Sequence, residues 1–420
     1  MAQTPAQYDD DDGRPPPGTW APAHRAAMRI VTPIQSILAV EAASGILLMV
    51  TTVVALVWAN SPWASAYEHL WHMPLGLSLG SSVFERSLHF WVNDGLMTIF
   101  FLVVGLEIRR EIHEGALAGL RLAALPLAAA LGGMLVPAGI YIALNDGRAG
   151  SAGWGIPMAT DIAFAIGTLT LLGSRVPANL RVLLLALAVI DDIGAILVIA
   201  IFYSDGVQLA SLGVAAAGVG GVIAMQAVAI RAPGLYVLPG LVLWIGLYQA
   251  GIHPTLAGVV LGLMTPVVPW RGPSQSARLQ HVLHPWVAYG IMPLFALANA
   301  GVALGSADIS GDSAYVFLGI IAGLALGKPL GIAAFSYAAT GSRLASRPEG
   351  STFGGIVLVG MVGGIGFTMS LFVAQLAFPP GPMLDTAKLA ILVGSAAAMI
   401  GGLVFGRLSL APRPSPVSAT

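Results

Sequence analysis

The sequence predicts an all-α polytopic membrane protein of about twelve transmembrane helices, with inverted repeats and two discontinuous helices, the fourth and the eleventh. Three observations carry that fold class. Of 420 residues, 56% are apolar and only 9% charged, where a soluble globular domain carries about 25% charged residues. The mean hydropathy is +0.83, and apolar stretches recur along the chain at the length of a span, roughly 20 residues each. Two of those stretches are interrupted by Pro or Gly clusters, and they lie seven spans apart. An odd separation makes them run in opposite directions, the pattern of inverted repeats around a midplane site.

The elements follow in order. Residues 1–30 form an acidic, Pro-rich tail, with Asp9 to Asp12 followed by Pro15 to Pro17. No basic start leads into an apolar run, so the tail is not read as a cleavable signal. Its composition predicts a disordered, solvated segment. A twelve-helix domain follows over 31–410, and 411–420 is a second short tail. Spans are expected near 36–59, 88–110, 121–144, 155–173, 178–203, 207–230, 233–249, 253–268, 282–302, 314–339, 353–377 and 385–408. The uncharged stretch 232–270 exceeds one span, and Gly251-Ile252-His253-Pro254 divides it. In the loop 60–87, alternating Leu75, Leu77 and Leu79 before Gly80-Ser81-Ser82 predict a short β-hairpin.

Twelve spans put both termini on one side, and the basic residues test that count. Fifteen arginines fall on the terminal side, while only Arg86, Arg148 and Lys388 fall on the other. By the positive-inside bias both termini are cytoplasmic. The chain has no cysteine, which excludes disulfides, thiolate metal sites and Fe–S clusters. A net charge of −1 argues against a nucleic-acid partner. No cofactor is expected, and no H-E-x-x-H spacing suggests zinc.

Five charges stand inside spans: Asp94, Asp161, Asp191, Asp192 and Lys328, with Glu41 and Glu107 nearer span ends. At about 2.5–3.5 kcal/mol each they would cost on the order of 12–17 kcal/mol unpaired. They must face water, pair with one another, or carry protons. Asp191 and Asp192 are adjacent in an otherwise apolar helix, so they serve faces about 100° apart. Two anions this close in a poorly solvated site resist joint ionisation, which suits the pair to proton exchange. Carboxylates are also oxygen ligands for small hard cations. Asp161 follows Pro157-Met158-Ala159-Thr160, a helix interruption that frees carbonyls and exposes positive half-helix ends. Asp161 can serve such a site, cap a shorter helix, or do both. Val362-Gly363-Gly364-Ile365-Gly366-Phe367 interrupts the second span, either for ion coordination or for close packing. Lys328, in Leu326-Gly327-Lys328-Pro329, is the one cation within a span. It can pair with Asp191, oppose the negative half-helix ends, or carry a proton itself. His113, His253, His281 and His284 lie at helix ends or in loops, where capping or packing is the default.

Asn93-Asp94-Gly95-Leu96-Met97 with Gly105-Leu106-Glu107-Ile108-Arg109-Arg110-Glu111, Ala159-Thr160-Asp161-Ile162-Ala163-Phe164-Ala165, Asp191-Asp192 and Gly327-Lys328-Pro329-Leu330-Gly331 resemble the NhaA-type sodium/proton antiporters. So do Met292-Pro293-Leu294-Phe295 with Ala298-Asn299-Ala300-Gly301, and Gly363-Gly364-Ile365-Gly366-Phe367-Thr368-Met369-Ser370, over about 33 to 408 in all. The resemblance implies that the fourth and eleventh helices are broken and cross. It implies Asp192 as the main Na⁺ and H⁺ ligand, Asp191 as its partner linked to Lys328, Thr160 and Asp161 at the crossing, and Asp94 among the essential carboxylates. Glu107, Arg110, Glu111, His281 and His284 would form a cytoplasmic pH-sensing funnel. The resemblance further implies a bacterial inner membrane, Na⁺ or Li⁺ as substrate, electrogenic exchange that regulates cytoplasmic pH and sodium, no enzymatic activity, and a homodimer through the outer loop 60–87. One departure stands out: family members often carry a glutamate where this chain has Gln280, and an amide does not titrate.

Two other classes use comparable residues. A cation channel or symporter would need no obligatory proton coupling, so vesicle pH traces separate it. An intramembrane aspartyl protease also needs two membrane carboxylates, but the Gly-x-Gly-Asp pattern that such enzymes resemble is absent.

Overall fold

A computed structural model describes residues 43–410, apart from 80–81, 116–118, 205, 207, 231, 268–273, 306 and 348–351. Both expected tails and Glu41 lie outside the described residues. The described residues are helical almost throughout. Helix α1 (Ala43–Ala59) turns through 111° into α2 (Ala64–His72), and the hairpin β1 (Pro74–Leu79) and β2 (Ser82–Ser87) follows. The strands pair antiparallel, Leu75 opposite Arg86 and Leu77 opposite Phe84, as the leucine alternation predicts. Helix α2 within the same loop was not legible in the sequence.

Long helices come next: α3 (Leu88–Glu114), α4 (Leu120–Asn145), then a 3₁₀ helix (Ser151–Met158) and α5 (Ile162–Leu171) meeting at 44°. After α6 (Ala178–Phe202), α7 (Leu209–Ala227), α8 (Val237–Gln249) and the short α9 (Leu256–Met264) come α10 (Gln275–Asn299) and α11 (Gly311–Gly341). Helices α12 (Phe353–Gly363) and α13 (Phe367–Ala377) meet at 46°, and α14 (Pro382–Ser409) closes the order. Seven of these helices are long and apolar enough to cross a membrane, or up to ten spans if each bent pair counts as one. The chain is thus a multi-pass membrane protein. Exposed Leu131, Leu197, Ile201 and Leu238 fit a lipid-facing surface.

Small residues set the packing. Helices α4 and α11 approach so closely that a Cβ on Gly132 would lie 2.1 Å from the Gly331 carbonyl oxygen, and one on Gly331 would lie 2.0 Å from that of Gly132. Lipid supplies little drive for such association, so close backbone contact supplies it instead. Three spans widen into a single π-helical turn: α3 at Trp91–Leu96, α10 at Val287–Ile291 and α11 at Gly323–Gly327. Pro293 and Pro329 stand just after the last two. Proline lacks the N–H that an α-turn needs, and such bulges absorb the mismatch, often at functional sites.

Candidate cation and proton site

The pairs bent by 44° and 46° meet near their breaks. Residues 159–161 and 364–366 leave the helical path, and the Asp161 N–H donates to the Ile365 carbonyl at 2.8 Å. The Asp161 carboxylate then caps both following half-helices. Its Oδ1 accepts from Phe164 N–H on α5 at 3.0 Å. Its Oδ2 accepts from Thr368 N–H on α13 at 3.2 Å and from the Thr368 hydroxyl. The N-terminal ends of two helix dipoles thereby share one buried anion. Of the alternatives open in the sequence, Asp161 both caps a helix and stands at unwound backbone. Thr368 was missed by sequence reading, although it sits two residues beyond Gly366.

Beside the same breaks lies a dry ion pair. Lys328 Nζ reaches Asp191 Oδ2 at 2.6 Å and also donates to the Thr160 hydroxyl. Thr160 Oγ1 lies 2.7 Å from Asp191 Oδ2 and 3.0 Å from the Gly363 carbonyl, so its single proton serves one of the two. Thr160 and Lys328 are 0% exposed and Asp191 1%. Asp191 Oδ1 has no hydrogen-bond partner among the described residues. Of the sequence alternatives for Lys328, the pairing with Asp191 is present in the structure.

Asp192, one residue on, points elsewhere. It makes no ion pair or hydrogen bond among the described residues and lines a cavity of about 50 Å³. That volume exceeds the roughly 10–15 Å³ that one water needs. Around it stand Phe100, Val104 and Glu107 from α3, Thr160 and Asp161 from the first break, Ile162 at the start of α5, His284, Ala288 and Met292 from α10, and Met369 from α13. One carboxylate is therefore bound to the protein, while its neighbour faces a small cavity that Glu107 and Asp161 also line.

The remaining candidates separate by place. Glu107 and His284 share the cavity with Asp192. Arg110 Nη1 donates to the buried Gln280 Oε1 at 3.4 Å, joining α3 to α10 beside that wall. Glu111 is partly buried on α3, and His281 is exposed on α10. Asp94 does not line the cavity. It sits in the π turn of α3, 3.7 Å from His253 Nδ1.

Gly364 shows how tightly the second break is held. A Cβ there would lie 2.3 Å from the Leu324 carbonyl oxygen in the π turn before Lys328. Backbone cannot yield as a flexible side chain does. Gly364→Ala is therefore expected to destabilise the crossing by about 1–3 kcal/mol, the usual scale of overpacking. A lower melting temperature in detergent checks it, while unchanged melting would remove the packing argument.

Known sequences resemble this chain over most of its length. A family model described as Na⁺/H⁺ antiporter 1 matches residues 35–405. The chain belongs to that antiporter family. It is 53% identical to the Na⁺/H⁺ antiporter NhaA 2 of Sorangium cellulosum, with 94% of each chain covered. It is 50% identical to NhaA 2 of Myxococcus xanthus, over 96% of this chain and 95% of that one. The NhaA of Janthinobacterium sp. is 49% identical, over 93% and 96%. Membership makes the chain a membrane transporter and not an enzyme.

Proposed function

We propose that this Na⁺/H⁺ antiporter binds one Na⁺, or Li⁺, and protons in competition at Asp192, reached alternately from the two sides of the membrane. The observation that carries the reading is the split between neighbouring aspartates: Asp191 is tied to Lys328 and Thr160, while Asp192 faces the cavity without a hydrogen-bonded partner among the described residues. A carboxylate in such a place holds either a proton or a small hard cation. Asp161 and backbone at the crossing stand close enough to line the same cavity.

In this reading Asp192, deprotonated at the cytoplasmic side, captures Na⁺ from the cavity. The loaded site turns outward, releases the ion, takes protons and returns. If a second proton rides on Asp191 or Lys328, more than one positive charge enters per Na⁺ leaving, so membrane potential drives export. Asp94, beside His253, completes the set of membrane carboxylates on the other face of α3. Glu107, Arg110, Glu111, His281 and His284 form the entrance that responds to pH, with Gln280 as a non-titrating member. The reading carries with it twelve spans with the fourth and eleventh broken, a bacterial inner membrane, cytoplasmic termini, and a homodimer joined through 60–87.

Everted vesicles test it. Acidification is expected to reverse on adding Na⁺ or Li⁺ and not K⁺. Where protons hold most sites, the apparent affinity for Na⁺ should fall about tenfold per pH unit lowered for each proton displaced. An apparent Na⁺ affinity indifferent to pH would overturn the competition.

A further inference from the structure

The cavity is lined by α3, α10 and α13, and the same three helices meet again toward the hairpin end of the bundle. There, four side chains that carry no role so far are knotted together. Asn299 Nδ2 donates to Asn93 Oδ1 at 2.9 Å, and Gln375 Nε2 donates to Asn299 Oδ1 at 2.5 Å. Asn93 Nδ2 donates to Gln375 Oε1, closing a ring of three amides. His89 Nε2 lies 2.8 Å from Asn299 Oδ1. An amide oxygen only accepts, so the imidazole carries a proton on that nitrogen. Asn299 is 0% and Asn93 7% exposed.

Along α10 and α13, Phe295 and Phe372 fall between the cavity residues Met292 and Met369 and the ring residues Asn299 and Gln375. Phe101 of α3 and Phe372 of α13 are 5.3 Å apart, and Phe295 of α10 is 6.3 Å from Phe372. All three are nearly fully buried. Asn93 stands seven residues before the cavity residue Phe100, about 10 Å along the helix axis. The line from Asp192 toward the hairpin end thus passes an apolar seal and then a polar one.

We propose that the Asn93–Asn299–Gln375–His89 ring is a latch that holds this far gate shut in the conformation seen here and opens once in each transport cycle. Gln375 is on α13, which Asp161 ties to the crossing. Its partners are on α3 and α10, which form the facing wall. Any movement that opens a path between the crossing and that wall must part these bonds. Neutral amides suit the task, because each hydrogen bond contributes modestly and reforms readily, unlike a buried ion pair. The inference rests on Asp192 as the ion site, since that places the latch on the ion's route.

The cysteine-free chain allows a direct test. Met369→Cys puts a thiol in the cavity wall, to be labelled in vesicles by a membrane-impermeant reagent applied to each side in turn. In that chain labelling is expected from one side predominantly. Adding Gln375→Met, which keeps the side chain's length and removes both polar atoms, should raise labelling from the opposite side about five- to thirtyfold. Unchanged sidedness would overturn the latch. A second measurement bridges Asn93→Cys and Gln375→Cys with a short bis-methanethiosulfonate linker. Exchange should stop and return on reduction, whereas full exchange in the bridged protein would also overturn the proposal. Loss of exchange in Asp192→Asn reports the ion-site reading separately, so either idea can fail without the other.

Discussion

Asp192→Asn is expected to reduce sodium-dependent proton flux in vesicles to background and to weaken Na⁺ binding by about 10- to 100-fold. An amide keeps the shape and one oxygen but loses both the charge and the exchangeable proton. An interaction with a charged group contributes about 1.5–3 kcal/mol, and each 1.4 kcal/mol is a factor of ten. Because Asp192 faces the cavity and makes no hydrogen bond among the described residues, the substitution breaks no scaffold contact. Folding should therefore be retained, and the melting temperature of the variant separates a lost site from a lost structure. Na⁺ binding in the variant by calorimetry gives the affinity half of the result. Wild-type exchange in a folded Asp192→Asn protein would sink the assignment.

Lys328→Met should do the opposite, damaging stability first. It strands Asp191 in a dry interior beside Thr160, both at most 1% exposed. Removing one member of a buried ion pair costs about 3–5 kcal/mol, most of it from the charge left behind. Adding Asp191→Asn to Lys328→Met removes that charge and should recover most of the loss, giving a coupling of about 3 kcal/mol in a double-mutant cycle. Denaturation of the four proteins in mild detergent reads it. Additive losses would mean that the 2.6 Å contact contributes no coupling. Transport by the double variant is informative too. If it still exchanges Na⁺ for H⁺ but no longer responds to membrane potential, the second proton rides on this pair.

Much of this was legible in the sequence because charge in an apolar span is costly and therefore conspicuous. Asp161, Asp191, Asp192 and Lys328 stood out on that ground, and Pro157 and the Gly363–Gly366 run marked the two breaks. Composition left open whether Lys328 pairs with Asp191, opposes the negative half-helix ends or carries a proton. Only the three-dimensional path sets Asp191 against Lys328 and Asp192 toward the cavity. Asn93, Asn299 and Gln375 escaped notice for the converse reason. They are uncharged, and they lie 206 and 76 residues from their partners. The π turns were also hidden, although Lys328-Pro329 and Met292-Pro293 carry the cue. A proline that starves the preceding turn of a donor invites a wider ring there. The short helix α9 fell within an expected span of sixteen residues and fills nine of them, because Gly251 and Pro254 delay its start.

The single carboxylate shared by α5 and α13 has a mechanical corollary. With both half-helices pinned to Asp161, neither can swing while the other stays, so they behave as one stiff cartridge. In the proposed cycle this cartridge keeps its own shape, and what alternates is its stance against the facing wall of α3 and α10. Under that proposal the backbone at the breaks would stay fixed while access changes sides.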